Sequence, residues 1–151
     1  MPFVLSRVVT AALLTLLLTV SACANEPRVV LHTADGDVPV TVEVAATPPQ
    51  QSLGLMYRKE LGANAGMLFV FDTTVEHPFW MKNTVLALDM IFLGDDRTVV
   101  GIVKDAVPFT TTSRTVGVPS RYVLEVNAGF SDKHHLKTGD RVTFEHVAAA
   151  P

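Results

Sequence analysis

Short apolar runs separated by turn-forming residues recur along most of the chain, a pattern that predicts strands rather than long helices. Apolar and polar residues alternate strictly from Val38 to Val44, and Asp35-Gly36-Asp37 separates them from the apolar segment Val29–Leu31. An Asp-Gly pair between two such runs is typical of a β-hairpin turn. Further runs rich in β-branched and aromatic residues predict strands at 67–71, 79–83, 87–93, 98–104, 121–127 and 141–146.

One short helix is predicted where proline and glutamine follow a threonine. In Thr47-Pro48-Pro49-Gln50 the threonine caps the first turn, proline suits the first helical position, and the glutamine completes a capping box. The helix is predicted to continue through Leu53 to about Tyr57 or Leu61 and to end near Gly62. About seven or eight closely spaced strands with so little helix predict one mainly β domain, an antiparallel sandwich or barrel-like fold with one or two short helices.

The N-terminus has the pattern of an export signal. An uncharged run of 13 residues, Val8 to Val20, follows Arg7, and small residues come after it. This run is shorter than the roughly 20 residues that a helix needs to cross a bilayer, but it is typical of a secretory signal. Residues 1–22 are therefore predicted to be a signal peptide that is removed after export.

The single cysteine of the chain, Cys23, follows this run directly in Val20-Ser21-Ala22-Cys23. These four residues resemble the lipobox of bacterial lipoproteins, in which the cysteine sulfur carries a diacylglyceryl group. The resemblance implies a membrane-anchored protein with a tether at 23–28 and one domain at 29–147, on the periplasmic or cell-surface side of the membrane. The alternative is ordinary cleavage at Ala22-Cys23-Ala24, which gives a soluble secreted or periplasmic protein.

Composition and charge exclude several other classes of protein. The chain has 12 Lys and Arg residues against 15 Asp and Glu. No segment gathers enough basic side chains to follow a phosphate backbone, so nucleic acid is not expected as a partner. A lone cysteine forms no internal disulfide, and without a dense His/Cys cluster we expect neither a metal nor another cofactor.

A carboxylate interrupts one of the apolar runs. With a period of two, Asp89 shares a strand face with Ile91 and Leu93, and a buried carboxylate without a partner is costly. Asp89 is therefore expected to pair with Lys82, Arg58 or a backbone donor, unless it lies near the strand end and is solvated. Such a pair is either a ligand site or a structural contact. As a site residue, Asp89 should tolerate asparagine in folding but not in function.

Aromatic and polar side chains also come together in the predicted strand at 79–83. Its alternation places Trp80, Lys82 and Thr84 on one face and Asn83 on the other. An indole beside an ammonium and a hydroxyl group can form the floor of a small-molecule pocket. The alternative is that the indole belongs to the core and the lysine stem lies along it.

A second carboxylate lies in a later predicted strand. Glu125 stands opposite the strongly apolar face of Tyr122, Leu124 and Val126. It is expected either to join Asp89 at a site or to belong to a polar strand face toward water.

Five longer motifs follow one another between Gly54 and Asn127. They are Gly54-Leu55-Met56-Tyr57-Arg58, Gly66-Met67-Leu68-Phe69-Val70-Phe71, Phe79-Trp80-Met81-Lys82-Asn83-Thr84, Leu88-Asp89 and Tyr122-Val123-Leu124-Glu125-Val126-Asn127. In this order they resemble a family of small, mostly exported prokaryotic proteins known as domain of unknown function 192. The resemblance implies a β-rich, sandwich-like fold and no established activity. Ala87 departs from the family pattern, which usually has proline before the Leu-Asp pair.

These features favour a non-enzymatic binding or accessory module of the cell envelope, whose ligand is a small molecule or an envelope component. The candidate ligand-binding residues are Arg58, Trp80, Lys82, Asn83, Thr84, Asp89 and Glu125. One alternative is an envelope hydrolase that uses Asp89 and Glu125, although no Gly-x-Ser-x-Gly motif is present. Another is copper handling, since Cu(I) accepts thioether and imidazole ligands. The soft ligands concerned are Met56, Met67, Met81, Met90 and His77.

Overall fold

The computed structural model describes residues 26–148, which form seven strands and two short helices. The elements are β1 (Arg28–Thr33), β2 (Gly36–Ala45), α1 (Pro48–Leu53), β3 (Ala65–Val75), β4 (Leu88–Leu93), β5 (Val99–Ala106), β6 (Ser120–Asn127), α2 (Phe130–Lys133) and β7 (Arg141–Glu145). The predicted signal peptide at 1–22 and the predicted lipid attachment at Cys23 lie outside the described residues. Within 26–148, no helix has the length and apolar character needed to span a membrane.

The strands form one sheet in the order β5-β4-β6-β3-β2-β1-β7, which curls into a half-barrel. Its two edges approach each other at one end, where Thr98 forms an isolated antiparallel bridge with Arg141. Beside this bridge, the N–H of Val99 donates to the carbonyl oxygen of Asp140 at 2.9 Å. The contact pairs part of both edges, which leaves less exposed edge for another chain to join. The predicted class, a mainly β, barrel-like domain with short helices, is confirmed.

One pair of neighbouring strands departs from the antiparallel arrangement that the sequence favoured. β2 and β3 run parallel, with Thr41 opposite Ala65. Parallel neighbours need a crossover of about a dozen residues or more, and residues 46–64, which contain α1, supply it. The crossover packs on β3, where Nε2 of Gln51 donates to the carbonyl oxygen of Val70 at 2.7 Å. It therefore covers one face of the sheet.

Apolar side chains are buried on both faces of the sheet, in two clusters. The inner cluster takes residues from all seven strands, among them Leu68 and Leu124. The outer cluster lies on the opposite face of the central strands and includes Phe69 and Met90. Segments outside the sheet cover the outer cluster, and Met81 from one of them is fully buried there. The central strands are therefore buried on both sides, as in sheets with layers on each face.

The predicted hairpin is confirmed. β1 and β2 pair in antiparallel register from Arg28 opposite Thr41 to Thr33 opposite Gly36. The turn lies between these last two residues, at Ala34 and Asp35. The hairpin is confirmed, but its turn lies one position before the predicted Asp35-Gly36 pair, because Gly36 already pairs with Thr33.

The predicted helix begins where expected but ends early. α1 starts directly after Thr47, whose N–H donates to Oε1 of Gln50 at 3.0 Å, as in a capping box. It ends at Leu53, so the prediction of a helix reaching about Tyr57 or Leu61 is wrong. The reason is Gly54, which adopts a φ of 48° and directs the chain out of the helix.

The strand predicted at 79–83 is wrong, because this segment is irregular. Its first residue forms an isolated bridge with Arg114, and the N–H of Met81 donates to the carbonyl oxygen of Thr110 at 2.9 Å. The chain then turns, with Asn83 at a φ of 54°. Since the segment pairs with a loop and turns at once, a strand face shared by positions 80, 82 and 84 does not exist.

Candidate functional site

A cavity of about 260 Å³ opens on the outer face of the sheet. Its walls come from α1 and the loop after it, from β3, from residues 78–84 and from β6. The side chains that matter for its chemistry are Gln51, Phe69, Phe79, Trp80, Thr84 and Glu125. Among the described residues 26–148, Glu125 is the one lining residue with a readily ionisable group, so we call this cavity the Glu125 pocket.

Glu125 is buried in the pocket wall without a partner. Met67 of β3 and Met90 of β4 stand directly opposite it on the two neighbouring strands, so a thioether flanks it on each side. Only 4% of the residue is exposed, and within residues 26–148 no group donates a hydrogen bond to its carboxyl group. An unpartnered buried carboxyl group costs free energy. A molecule in the pocket would supply the missing partner.

Burial raises the pKa of Glu125 from an ordinary value of 4.5 to about 8. Desolvation is the cause, because water no longer stabilises the charged form. The carboxyl group is therefore mainly protonated at neutral pH. A protonated carboxyl group donates one hydrogen bond, whereas a carboxylate only accepts. The protonation state of Glu125 therefore decides whether its carboxyl group can donate a hydrogen bond to a ligand or can only accept one.

Aromatic rings form much of the remaining wall. Phe79 meets Phe69 edge to face with ring centroids 5.0 Å apart, and it meets Phe92 in the same way at 5.8 Å. Trp80 is 49% exposed, and Nζ of Lys82 lies 5.3 Å from its ring centroid. The pocket is thus lined by aromatic rings together with several polar groups, a combination found in small-molecule sites.

Two of the other candidate residues hold the loops beside the pocket together. Nδ2 of Asn83 donates to Oη of Tyr57 at 2.8 Å, and the N–H of Tyr57 donates to the carbonyl oxygen of Asn83 at 2.9 Å. The buried Thr84 donates from Oγ1 to the carbonyl oxygen of Lys82 at 3.1 Å. The two bonds between Tyr57 and Asn83 join the loop after α1 to the segment that carries Trp80, and the Thr84 bond lies within that segment.

Arg58 forms an ion pair with Glu43 on β2. Glu43 stands opposite Met67, which in turn stands opposite Glu125, so the ion pair and the buried carboxyl group belong to one cross-strand row. Both members of the pair are partly exposed, and each neutralises the other. The structure therefore places Trp80, Thr84 and Glu125 in the pocket wall and Arg58, Lys82 and Asn83 in contacts outside it.

Asp89 lies elsewhere and has three backbone partners. Its carboxylate accepts N–H groups from Asp105 at 3.0 Å, Gly129 at 3.3 Å and Ser131 at 2.8 Å. The residue is completely buried. Of the partners expected from the sequence, the backbone donor is the one observed, and the contact joins β4 to the end of β5 and to the start of α2. These bonds fit a structural role.

The two carboxylates of the hydrolase hypothesis do not face each other. Asp89 stands opposite Val126, which belongs to the inner cluster, whereas Glu125 stands opposite Met90, which belongs to the outer cluster. Directly opposite residues project from the same face of a sheet, and successive residues project from opposite faces. Asp89 and Glu125 are therefore separated by the sheet and cannot act on one bond, which corrects that hypothesis.

Of the predicted copper ligands, Met67, Met81 and Met90 belong to the outer cluster. Met67 and Met90 flank the buried carboxyl group, and Met56 lines the pocket. His77 instead stacks on Phe71, with ring centroids 3.7 Å apart. Residues 26–148 contain no group of three or more His, Cys, Asp or Glu side chains placed to hold a metal ion. Buried methionines are also ordinary, polarisable core residues.

Sequence reasoning missed the part of the pocket that α1 and its following loop supply, including Gln51 and Leu53. These residues were interpreted as one continuous helix. Glycine at position 54 was the available signal, because glycine often ends a helix by adopting a positive φ. Because α1 ends at Leu53, the residues that follow it lie over the sheet and line the pocket.

Comparisons with known proteins agree with the motif-based resemblance. Residues 30–144 match the model of the DUF192 family, described as an uncharacterized ACR. No curated protein matches the chain.

Two solved structures resemble the domain closely. One is a protein from Sinorhizobium meliloti, described as a candidate transcription regulator, with 42% identity and a TM-score of 0.76 over 79% of this chain and 93% of that one. The other is a protein of unknown function from Novosphingobium aromaticivorans, with 39% identity and a TM-score of 0.75 over 77% of this chain and 83% of that one. Neither description states a ligand.

Proposed function

The chain belongs to the DUF192 family of uncharacterised proteins, and we propose that its domain binds a small molecule in the Glu125 pocket. The supporting observation is a carboxyl group that is buried in the wall of an aromatic-lined pocket and has no partner within the described part of the chain. We propose a binding or accessory module rather than an enzyme, because Asp89 is separated from the pocket by the sheet. Recognition would then combine one polar contact with apolar burial.

The dimensions of the pocket support a ligand of modest size. Its volume is about 260 Å³, whereas an engineered apolar cavity of about 150 Å³ accepts benzene. The Glu125 pocket therefore has room for one ring with a short polar side chain. Leu53 and Trp80 are each about half exposed at the pocket, so a ligand would also cover apolar surface that now faces water.

Trp80 makes binding measurable, because it is the single tryptophan of the chain and lines the pocket. We expect a panel of small non-fluorescent aromatic compounds to contain members that change the tryptophan emission saturably. Replacing Glu125 with leucine should weaken binding of such compounds by about tenfold or more, because their polar group loses its partner. The matched control is Glu145→Leu, at an exposed position on β7.

Two outcomes of this titration would contradict the proposed function. In the first, no neutral, cationic or anionic compound changes the emission of Trp80. In the second, Glu125→Leu and Glu145→Leu bind every active compound equally, which would place binding outside the Glu125 pocket.

We further propose that the protein is exported and held on a membrane by a lipid on Cys23, on the sequence pattern alone. Cys23→Ser should abolish both fatty-acid labelling and membrane retention. A diacylglyceryl group with further acylation gains about 0.8 kcal/mol per buried CH₂ group, enough for stable anchoring. Metabolic labelling followed by membrane fractionation tests this prediction. An unlabelled wild-type protein that begins at Asn25 would contradict it.

A further inference from the structure

Two polar side chains in the wall of the Glu125 pocket, Gln51 and Thr84, direct their observed hydrogen bonds toward the protein itself. Nε2 of Gln51 donates to the carbonyl oxygen of Val70 at 2.7 Å, and Oγ1 of Thr84 donates to that of Lys82 at 3.1 Å. These side chains keep their acceptor capacity, the amide oxygen of Gln51 and the lone pairs of the Thr84 hydroxyl. Glu125 adds the two oxygens of its carboxyl group. Such a set of acceptors suits a ligand that brings several donors.

The charge distribution favours the same kind of ligand. Glu125 is acidic, and none of the residues that line the pocket is basic. Phe69, Phe79 and Trp80 present aromatic rings, whose faces attract cations. The ammonium group of Lys82 already lies against Trp80, 5.3 Å from the ring centroid. A positively charged ligand group would meet both an acid and aromatic rings.

We propose that the ligand of the Glu125 pocket is a small apolar amine whose ammonium group pairs with the Glu125 carboxylate. This inference rests on the proposed function and narrows it to one class of ligand. An ammonium group brings three donors to a pocket that offers acceptors. Its apolar part would lie against the phenylalanine rings. A buried carboxyl group that has no partner among residues 26–148 thereby gains an oppositely charged one.

Binding of an amine in its ammonium form releases a proton from Glu125. Without ligand the carboxyl group holds that proton near neutral pH, because burial raises its pKa to about 8. In the complex the carboxylate is charged, and its proton passes to the solvent. The affinity for the amine should therefore increase as the pH rises toward 8.

Among residues 26–148, the other ionisable groups near the pocket do not account for the expected pH dependence, which we therefore assign to Glu125. α1 and β4 bring none to the pocket wall, and neither does the part of β3 opposite Glu125. His77 stacks on Phe71, and the Lys82 ammonium lies 5.3 Å from the Trp80 ring centroid without lining the pocket. Tyr57 is hydrogen-bonded to Asn83. Arg58 is paired with Glu43, which stands opposite Met67 on the neighbouring strand. None of these groups contributes to the raised pKa of Glu125.

Isothermal titration calorimetry of the purified protein with benzylamine, benzyl alcohol and benzoate tests the inference, because the three probes share one shape and differ in charge. We expect benzylamine to bind about tenfold or more tightly than benzyl alcohol, because a charge-assisted hydrogen bond is stronger than a neutral one. Benzoate should bind most weakly. From about pH 6 to pH 7.5, the affinity for benzylamine should rise by up to about tenfold per pH unit. Buffers of different ionisation enthalpy should reveal nearly one released proton.

Replacing Glu125 with glutamine keeps the shape of the side chain and removes its charge. Glu125→Gln should lose the preference for benzylamine and its pH dependence while still binding benzyl alcohol, whereas Glu145→Gln should behave as the wild type. Equal affinity of the wild-type protein for benzylamine and benzyl alcohol would overturn the amine assignment and leave the proposed function standing. Binding of none of the three probes would overturn both.

Discussion

Replacing Asp89 with asparagine is expected to lower the free energy of unfolding by about 3 kcal/mol. The Asp89 carboxylate is completely buried and accepts N–H groups from Asp105, Gly129 and Ser131. Asparagine offers one acceptor oxygen, so its NH₂ group faces at least one of these donors and leaves it unpaired. Urea denaturation of the purified protein at neutral pH measures this loss.

The matched control is Asp105→Asn, the same change at a neighbouring residue whose side chain is exposed. Its backbone N–H still donates to Asp89, so the free energy of unfolding should change by less than about 0.5 kcal/mol. If Asp89→Asn is as stable as the wild type and yet binds ligand poorly, the structural role assigned to Asp89 is wrong, and Asp89 is a ligand-binding residue.

Replacing Glu125 with glutamine is expected to stabilise the ligand-free protein, and the gain should depend on pH. The folded protein holds a proton on Glu125 up to about pH 8, whereas the unfolded chain releases it near pH 4.5. Between these values the unfolded state binds fewer protons, so a rise in pH destabilises the wild type by up to about 1.4 kcal/mol per unit. Glutamine has no ionisable group, so the stability of the variant does not fall with pH for this reason.

The difference in unfolding free energy between Glu125→Gln and the wild type should therefore be small near pH 4.5 and reach the order of 4 to 5 kcal/mol above pH 8. Urea denaturation at a series of pH values measures it, with Glu145→Gln as the exposed control. A difference that stays constant across the series would show that Glu125 keeps an ordinary pKa in the folded protein.

The sequence predicted the parts of the fold that depend on neighbouring residues. Alternation from Val38 to Val44 and the Asp-Gly pair placed the hairpin, and the capping residues placed the start of α1. The strand predicted at 79–83 failed because its partner is the loop that contains Arg114, not another strand. Pairing of that kind depends on the tertiary structure, which local propensity does not reveal.

The candidate site was predicted in part, and its central residue had been assigned two possible environments. Trp80 and Thr84 were expected at a pocket, and both line it. Glu125 was expected either at a site or on a face toward water, and it lies in the pocket wall because β3 and β4 flank its strand and segments outside the sheet cover that face. The order of the strands decides which of them is central. The strand patterns alone did not predict that β3 pairs with β2 in parallel, so they did not predict this order.

The central claim is that the Glu125 pocket binds a small molecule, and crystals of the protein soaked with a library of small fragments test it most directly. The account predicts electron density for fragments between Trp80 and Glu125, with a polar fragment atom within hydrogen-bond distance of the Glu125 carboxyl group. Amine-bearing fragments should be the most frequent occupants. Fragments that bind only elsewhere, with the Glu125 pocket free of them in every data set, would contradict the claim.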